Sequence, residues 1–173
     1  MLKKLSLGML IIICLANCND KKGKTGEADK KDTPSAFAYN EDFVSKENSL
    51  RLDINSTESK VSEFKANQQW DSIAAAGERM EQLIDVIIKD IKDKPAPDVK
   101  EGQDFKDAGL RYFQFMKDMY TVYKDYGHEP TEDGRAKQLE KLKNLASQKP
   151  AEIEHIQAAQ KKLADANGFK VGG

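Results

Sequence analysis

Beyond residue 33 the apolar residues recur every three or four positions, in four separate runs. The first run is Phe43, Glu47, Leu50, Ile54, Thr57, Val61 and Phe64, and the second is Trp70, Ile73, Gly77, Met80, Ile84, Ile87 and Ile91. The third holds Phe105, Ala108, Tyr112, Phe115, Met119, Tyr123 and Tyr126, and the fourth Leu139, Leu142, Ala146, Ile153, Ile156 and Leu163. A helix turns once in about 3.6 residues, so each set lies along one helical face. No run alternates with the two-residue period of a strand.

Breakers separate the runs. Thr33-Pro34 predicts a start, with Thr33 as cap and Pro34 in the first turn. The register slips over Lys65–Gln69, where Asn67 is a candidate cap for the second helix. Lys94-Pro95-Ala96-Pro97 ends the second helix, because proline restricts itself and the residue before it. Gly127-His128-Glu129-Pro130 separates the third from the fourth, which Thr131 caps, with Glu132 and Asp133 suited to the positive end of the helix dipole. Gly168 is the terminal stop. Pro150 falls inside the fourth run, but the register continues from Ala146 to Ile153, so one kinked helix is expected. The helices predicted are about 34–64, 67–92, 103–126 and 132–167. Four amphipathic helices joined by short connections predict an all-α fold, an antiparallel up-down-up-down four-helix bundle over residues 34–173.

The first 33 residues follow other rules. Lys3 and Lys4 precede an apolar run from Leu5 to Leu15, too short to span a bilayer, which needs about 20 apolar residues. The run ends in Leu15-Ala16-Asn17-Cys18, which resembles the lipobox of bacterial lipoproteins. Residues 1–17 are therefore expected to be a cleaved signal peptide, and Cys18 the lipid-attachment residue, carrying diacylglycerol and an acyl chain. The other cysteine, Cys14, lies within the removed part, so lipidation would leave no spare thiol in an oxidising compartment. Asn19–Asp32 has no large apolar residue and reads as a flexible tether within residues 18–33, reaching at most ~50 Å. Asn19, in place of the Asp that commonly marks inner-membrane retention, implies the outer membrane by the same resemblance.

Composition narrows the possibilities further. Basic and acidic residues nearly balance, 28 against 29, which offers no field for nucleic acid. With 33% charged and 39% hydrophobic residues, the chain suits a polar-surfaced helical protein rather than a disordered one.

Candidate chemistry is sparse. Glu152 and His155 have the Glu-x-x-His spacing that di-iron bundles use, but such sites need the motif twice, and the remaining histidine, His128, falls in a breaker. Ile153 and Ile156 facing inward would turn His155 to the flank. No Cys-x-x-Cys-His marks haem attachment. The aromatic residues of the third helix either pack the core or, on the Phe113 and Tyr120 side, offer a sugar or peptide surface; core packing is the expectation. Glu47 takes an apolar position and is expected at the rim, near Arg51. Asp71-Ser72-Ile73 fits a loose O-glycosylation pattern, with Ser72 expected to be an early helix residue. No Gly-x-Ser-x-Gly and no glycine-rich phosphate loop occurs.

Tyr39-Asn40-Glu41-Asp42-Phe43, Phe105-Lys106-Asp107-Ala108 with Tyr112-Phe113, and Ala159-Gln160-Lys161-Lys162-Leu163-Ala164-Asp165-Ala166-Asn167-Gly168-Phe169 resemble a family of uncharacterised surface lipoproteins of spirochaetes and Bacteroidetes. The resemblance implies a helical surface lipoprotein and brings no catalytic residues. The expected role is thus a lipid-anchored envelope protein that meets a protein or glycan partner or serves structurally, without enzymatic activity and without a bound cofactor. The alternatives are a metal- or haem-carrying bundle using Glu152 and His155, and a hydrolase with a composite site.

Overall fold

Four α-helices account for most of residues 35–171, the part of the chain that the computed structural model describes. They are α1 (Ala36–Ala66), α2 (Trp70–Asp93), α3 (Gly102–His128) and α4 (Glu132–Asn167), and no strand occurs among the described residues. The proposed signal peptide, Cys18, the tether and the Thr33-Pro34 start signal lie outside those residues.

The helix ends follow local chemistry. Ser35 caps α1 by accepting from the Ala38 amide at 3.1 Å. Asn67 closes α1 rather than opening α2: its amide donates to the Glu63 carbonyl, and Gln68 turns left-handed at φ 56°. The chain re-enters a helix only at Trp70, without a side-chain cap. Thr131 caps α4, accepting from the Gly134 amide at 3.0 Å, and Gly168 ends it in the left-handed region at φ 75°. α3 runs two residues past its expected end at Tyr126 and into the breaker, so the exposed His128 is its last helical residue. Lys106 Nζ donates to the Lys92 and Lys94 carbonyls at 3.2 and 2.5 Å, satisfying acceptors at the C-terminus of α2.

Cross-helix pairs give the register. Lys46 pairs with Asp90 at 2.9 Å and Arg79 with Asp53 at 2.6 Å, so α1 and α2 run antiparallel. Lys117–Asp85 and Lys124–Glu81 do the same for α2 and α3. Arg111–Glu152 and Asn167 donating to the Lys100 carbonyl orient α4 against α3. Asn40–Gln160, a buried amide pair at 2.7 Å, closes the ring between α1 and α4. The result is an antiparallel up-down-up-down four-helix bundle. Its two described ends share one pole, where Phe37 meets Phe169 edge-on at 5.7 Å.

Packing is uneven. At the α2–α3 seam the backbones nearly touch: a Cβ on Gly77 would stand 2.5 Å from the Lys124 amide nitrogen, and one on Gly127 would stand 2.3 Å from that of Ala74. Glycine is required at both points because the obstacle is main chain that cannot turn aside. Beside this seam Phe43 of α1 lies against Phe105 and Phe113 of α3, with ring centroids 5.2 and 5.3 Å apart. By contrast, α4 has no buried residue before Glu152. Leu139, Leu142, Leu145 and Ala146 are only half-buried there. The helix runs unbroken through Pro150.

Candidate functional site

The residues singled out from sequence do not converge. Glu152 is nearly enclosed, and both its oxygens accept from the guanidinium of Arg111, at 2.8 and 2.6 Å. That pairing holds its carboxyl below the usual range. His155, three residues on, is exposed. No group of three or more His, Cys, Asp or Glu side chains comes together as a metal site among the described residues.

Glu47 is not at the rim. It is half-buried, accepts from the Tyr112 hydroxyl at 2.9 Å, and burial raises its pKa. Arg51 acts on it only through its charge and donates instead to Asn48 at 2.6 Å. The alternative of an exposed aromatic face is overturned as well: Phe113 is fully buried and Tyr120 almost so. α3 packs against α2, α4 and α1, so its buried arc is wider than one stripe and takes in Phe113, Met116 and Tyr120. Ser72 lies half-buried in the first turn of α2.

What the fold does bring together is a second acid, Glu58 of α1, with Tyr120 and Tyr123 of α3 and Lys149 of α4. Glu58 Oε1 is buried without a hydrogen-bond partner. Burial raises the Glu58 carboxyl from 4.5 to about 7, with the Lys149 charge opposing the rise. Burial lowers the Lys149 pKa, against the pull of Glu58. Both tyrosines are raised first by burial and then by the charge of Glu58, Tyr123 to about 12.

A carboxyl that is half ionised near neutrality, beside a cation and two hydroxyls, can take up or give out a proton under ordinary conditions. Another buried acid, Glu81 at the α2–α3 seam, is differently placed. It accepts from the Thr121 hydroxyl and from Lys124 Nζ, the latter at 2.6 Å. Sequence reading missed Glu58 because it flanks the first stripe, four residues after Ile54 and three before Val61. That spacing places it at the edge of the buried face, and only knowing which helix covers that edge reveals its burial.

The surface dent lined by Tyr39, Phe43, Ile91 and Phe105, together with Asp42, Lys46, Lys94 and Lys106, has room for about one water. No protein family, curated protein or solved structure was found to match the chain.

Proposed function

We propose that this chain is a bacterial lipoprotein, held to the cell envelope by lipid on Cys18, whose four-helix bundle meets a protein or glycan or serves structurally. The observation that carries the reading is the order of elements before the bundle. Two lysines, an eleven-residue apolar run and Leu15-Ala16-Asn17-Cys18 are followed by a stretch without any large apolar residue. Acyl chains on one cysteine, each buried CH₂ contributing about 0.8 kcal/mol, would make a stable anchor. Among the described residues no helix is long and apolar enough to cross a membrane, and attachment through Cys18 would not need one.

The bundle reads as a surface for contact rather than a vessel for chemistry. Its titratable interior is dispersed over Glu47, Glu58, Glu81 and Glu152, each on a different set of partners. Asn19 after the cysteine favours the outer membrane, and the balanced charge does not favour nucleic acid.

The test is metabolic labelling with a tagged palmitate in a bacterium that processes lipoproteins. The native chain is expected to take label and to partition with membranes. Cys18→Ala is expected to take none and to accumulate as the longer precursor. Normal processing of the Cys18→Ala chain would overturn the reading. Protease treatment of intact cells then separates an outward-facing bundle, which is digested, from a periplasmic one, which is protected until lysis.

A further inference from the structure

The first half of α4 is built differently from the rest of the bundle. Its inner side, from Gly134 through Leu139, Leu142 and Ala146 to Lys149, is only half-covered. It is fastened at its start: Thr131 caps it, Arg135 Nη1 donates to the Glu129 carbonyl at 2.5 Å, and the Arg135 guanidinium stands 4.6 Å from the Trp70 ring centroid. At its other end is Pro150, which has no amide hydrogen to donate to the Ala146 carbonyl one turn back. In the turn before it, Ser147 Oγ and Gln148 Nε2 donate to the Asn144 carbonyl, at 2.7 and 3.2 Å. Side-chain bonds of that kind compete with the main-chain ladder.

The Glu58 carboxyl lies where this segment meets the body of the bundle, beside Lys149, the residue before the proline. Its Oε1 is shut away from water and from every donor among the described residues. An ionised carboxylate there is poorly solvated while the segment is closed and well solvated once it lifts. A protonated one is an ordinary buried acid and tolerates closure.

We propose that residues 132–149 form a strap, hinged at Pro150 and fastened at Thr131 and Arg135, whose closure over Tyr120 and Tyr123 is gated by the protonation of Glu58. The charged and titratable groups facing the carboxyl are Tyr120 and Tyr123 from α3 and Lys149 from α4. Neither tyrosine ionises near neutrality, since both are raised. The sign follows from linkage. The closed state holds the Glu58 proton more tightly than the open state, so acid favours closure, and closure weakens as pH rises through about 7. Between pH 6 and pH 8 the closed-to-open ratio falls by at most about tenfold, and by less to the extent that water screens the site. Burial acts with the opposite sign on Lys149, so a substitution at Glu58 isolates the carboxyl. This device does not depend on the lipid anchor.

Hydrogen–deuterium exchange on the full chain tests it, with protection factors corrected for the intrinsic effect of pH. In the native chain, amides of 132–149 are expected to lose several-fold protection between pH 6 and pH 8, while those of α2 and α3 do not. In Glu58→Gln the strap is expected to keep one level of protection at both values. Loss of the same size in both chains, or no loss in the native chain, would overturn the gate. Pro150→Ala restores the missing donor, so it is expected to slow strap exchange at both pH values while leaving the dependence on Glu58. Faster exchange in that variant would overturn the hinge.

Discussion

The α2–α3 seam and the first half of α4 solve the same packing problem to different degrees. Each presents a periodic apolar face to the bundle, and each lies beside a glutamate, Glu81 buried and Glu58 half-buried with its Oε1 shut away. At the seam, glycines let the main chains come within contact distance, Ile73, Met80 and Ile84 are fully shut away, and Glu81 receives a hydroxyl and an ammonium. Along the early part of α4 the apolar residues are leucines and an alanine that remain half-covered, and Glu58 keeps an oxygen without a donor. Periodicity specifies which face turns inward. How tightly that face closes depends on residue size and on whether each buried polar group finds a partner. One helix pair is therefore the rigid frame of the molecule, and the segment laid across it is the part free to respond.

Substitutions in the two regions can break this contrast or sharpen it. The largest effect is expected from Phe113→Ala, which removes a fully buried ring packed on Phe43 and Tyr112; it should cost about 3–5 kcal/mol in urea unfolding. A loss below about 1 kcal/mol would mean that α3 does not anchor the frame. Next comes Gly77→Ala, whose added methyl meets main chain of Lys124 and Tyr120 and must push α2 from α3, at about 1–3 kcal/mol despite alanine's better helix propensity. A more stable variant would show that the seam has slack. The smallest effect is expected from Leu142→Ala in the strap, about 1 kcal/mol because its side chain is only half-covered. Leu52→Ser, at a side chain 81% exposed, serves as the baseline and should stay within about 0.5 kcal/mol of the native chain. If Leu142→Ala equalled Phe113→Ala in cost, the two regions would be one cooperative core and the contrast would fail.

The fold was readable from spacing to a large extent. Every residue of the second stripe from Ile73 to Ile91 is buried, and the third stripe is buried except for the half-covered Tyr123. The Thr131 cap and the Gly168 stop follow from rules that act within a few residues. Local rules did not suffice at Asn67, where a residue able to open a helix instead closes the one before it. Phe113 and Tyr120 pack into the core as expected, but the stripe alone did not place them there, because a stripe assumes a neighbour on one side and α3 has neighbours on several. The strap's looseness could not be seen in its pattern, since a leucine at a helical interval looks the same whether the opposing helix is close or distant. Glu47 and Glu58 make the same point for polar groups. Both lie on or beside the first stripe, yet a tyrosine hydroxyl from α3 reaches one and leaves the other's Oε1 unpartnered. Such pairing depends on residues 65 positions apart in the chain, beyond the reach of any local rule.

The edge-on meeting of Phe37 and Phe169 has a topological consequence. With four helices laid alternately up and down, the described backbone is almost a closed circuit whose two ends share one pole. The turns at 67–69 and 129–131 lie at the other, about 46 Å away by the length of the 31-residue α1. The circuit can therefore be rewired: a short glycine-serine joint between the neighbourhoods of 37 and 169, with new termini cut at 129–131, should leave every interhelical contact in place. The same geography puts the far turns, with the start of the strap, at the pole opposite the described ends.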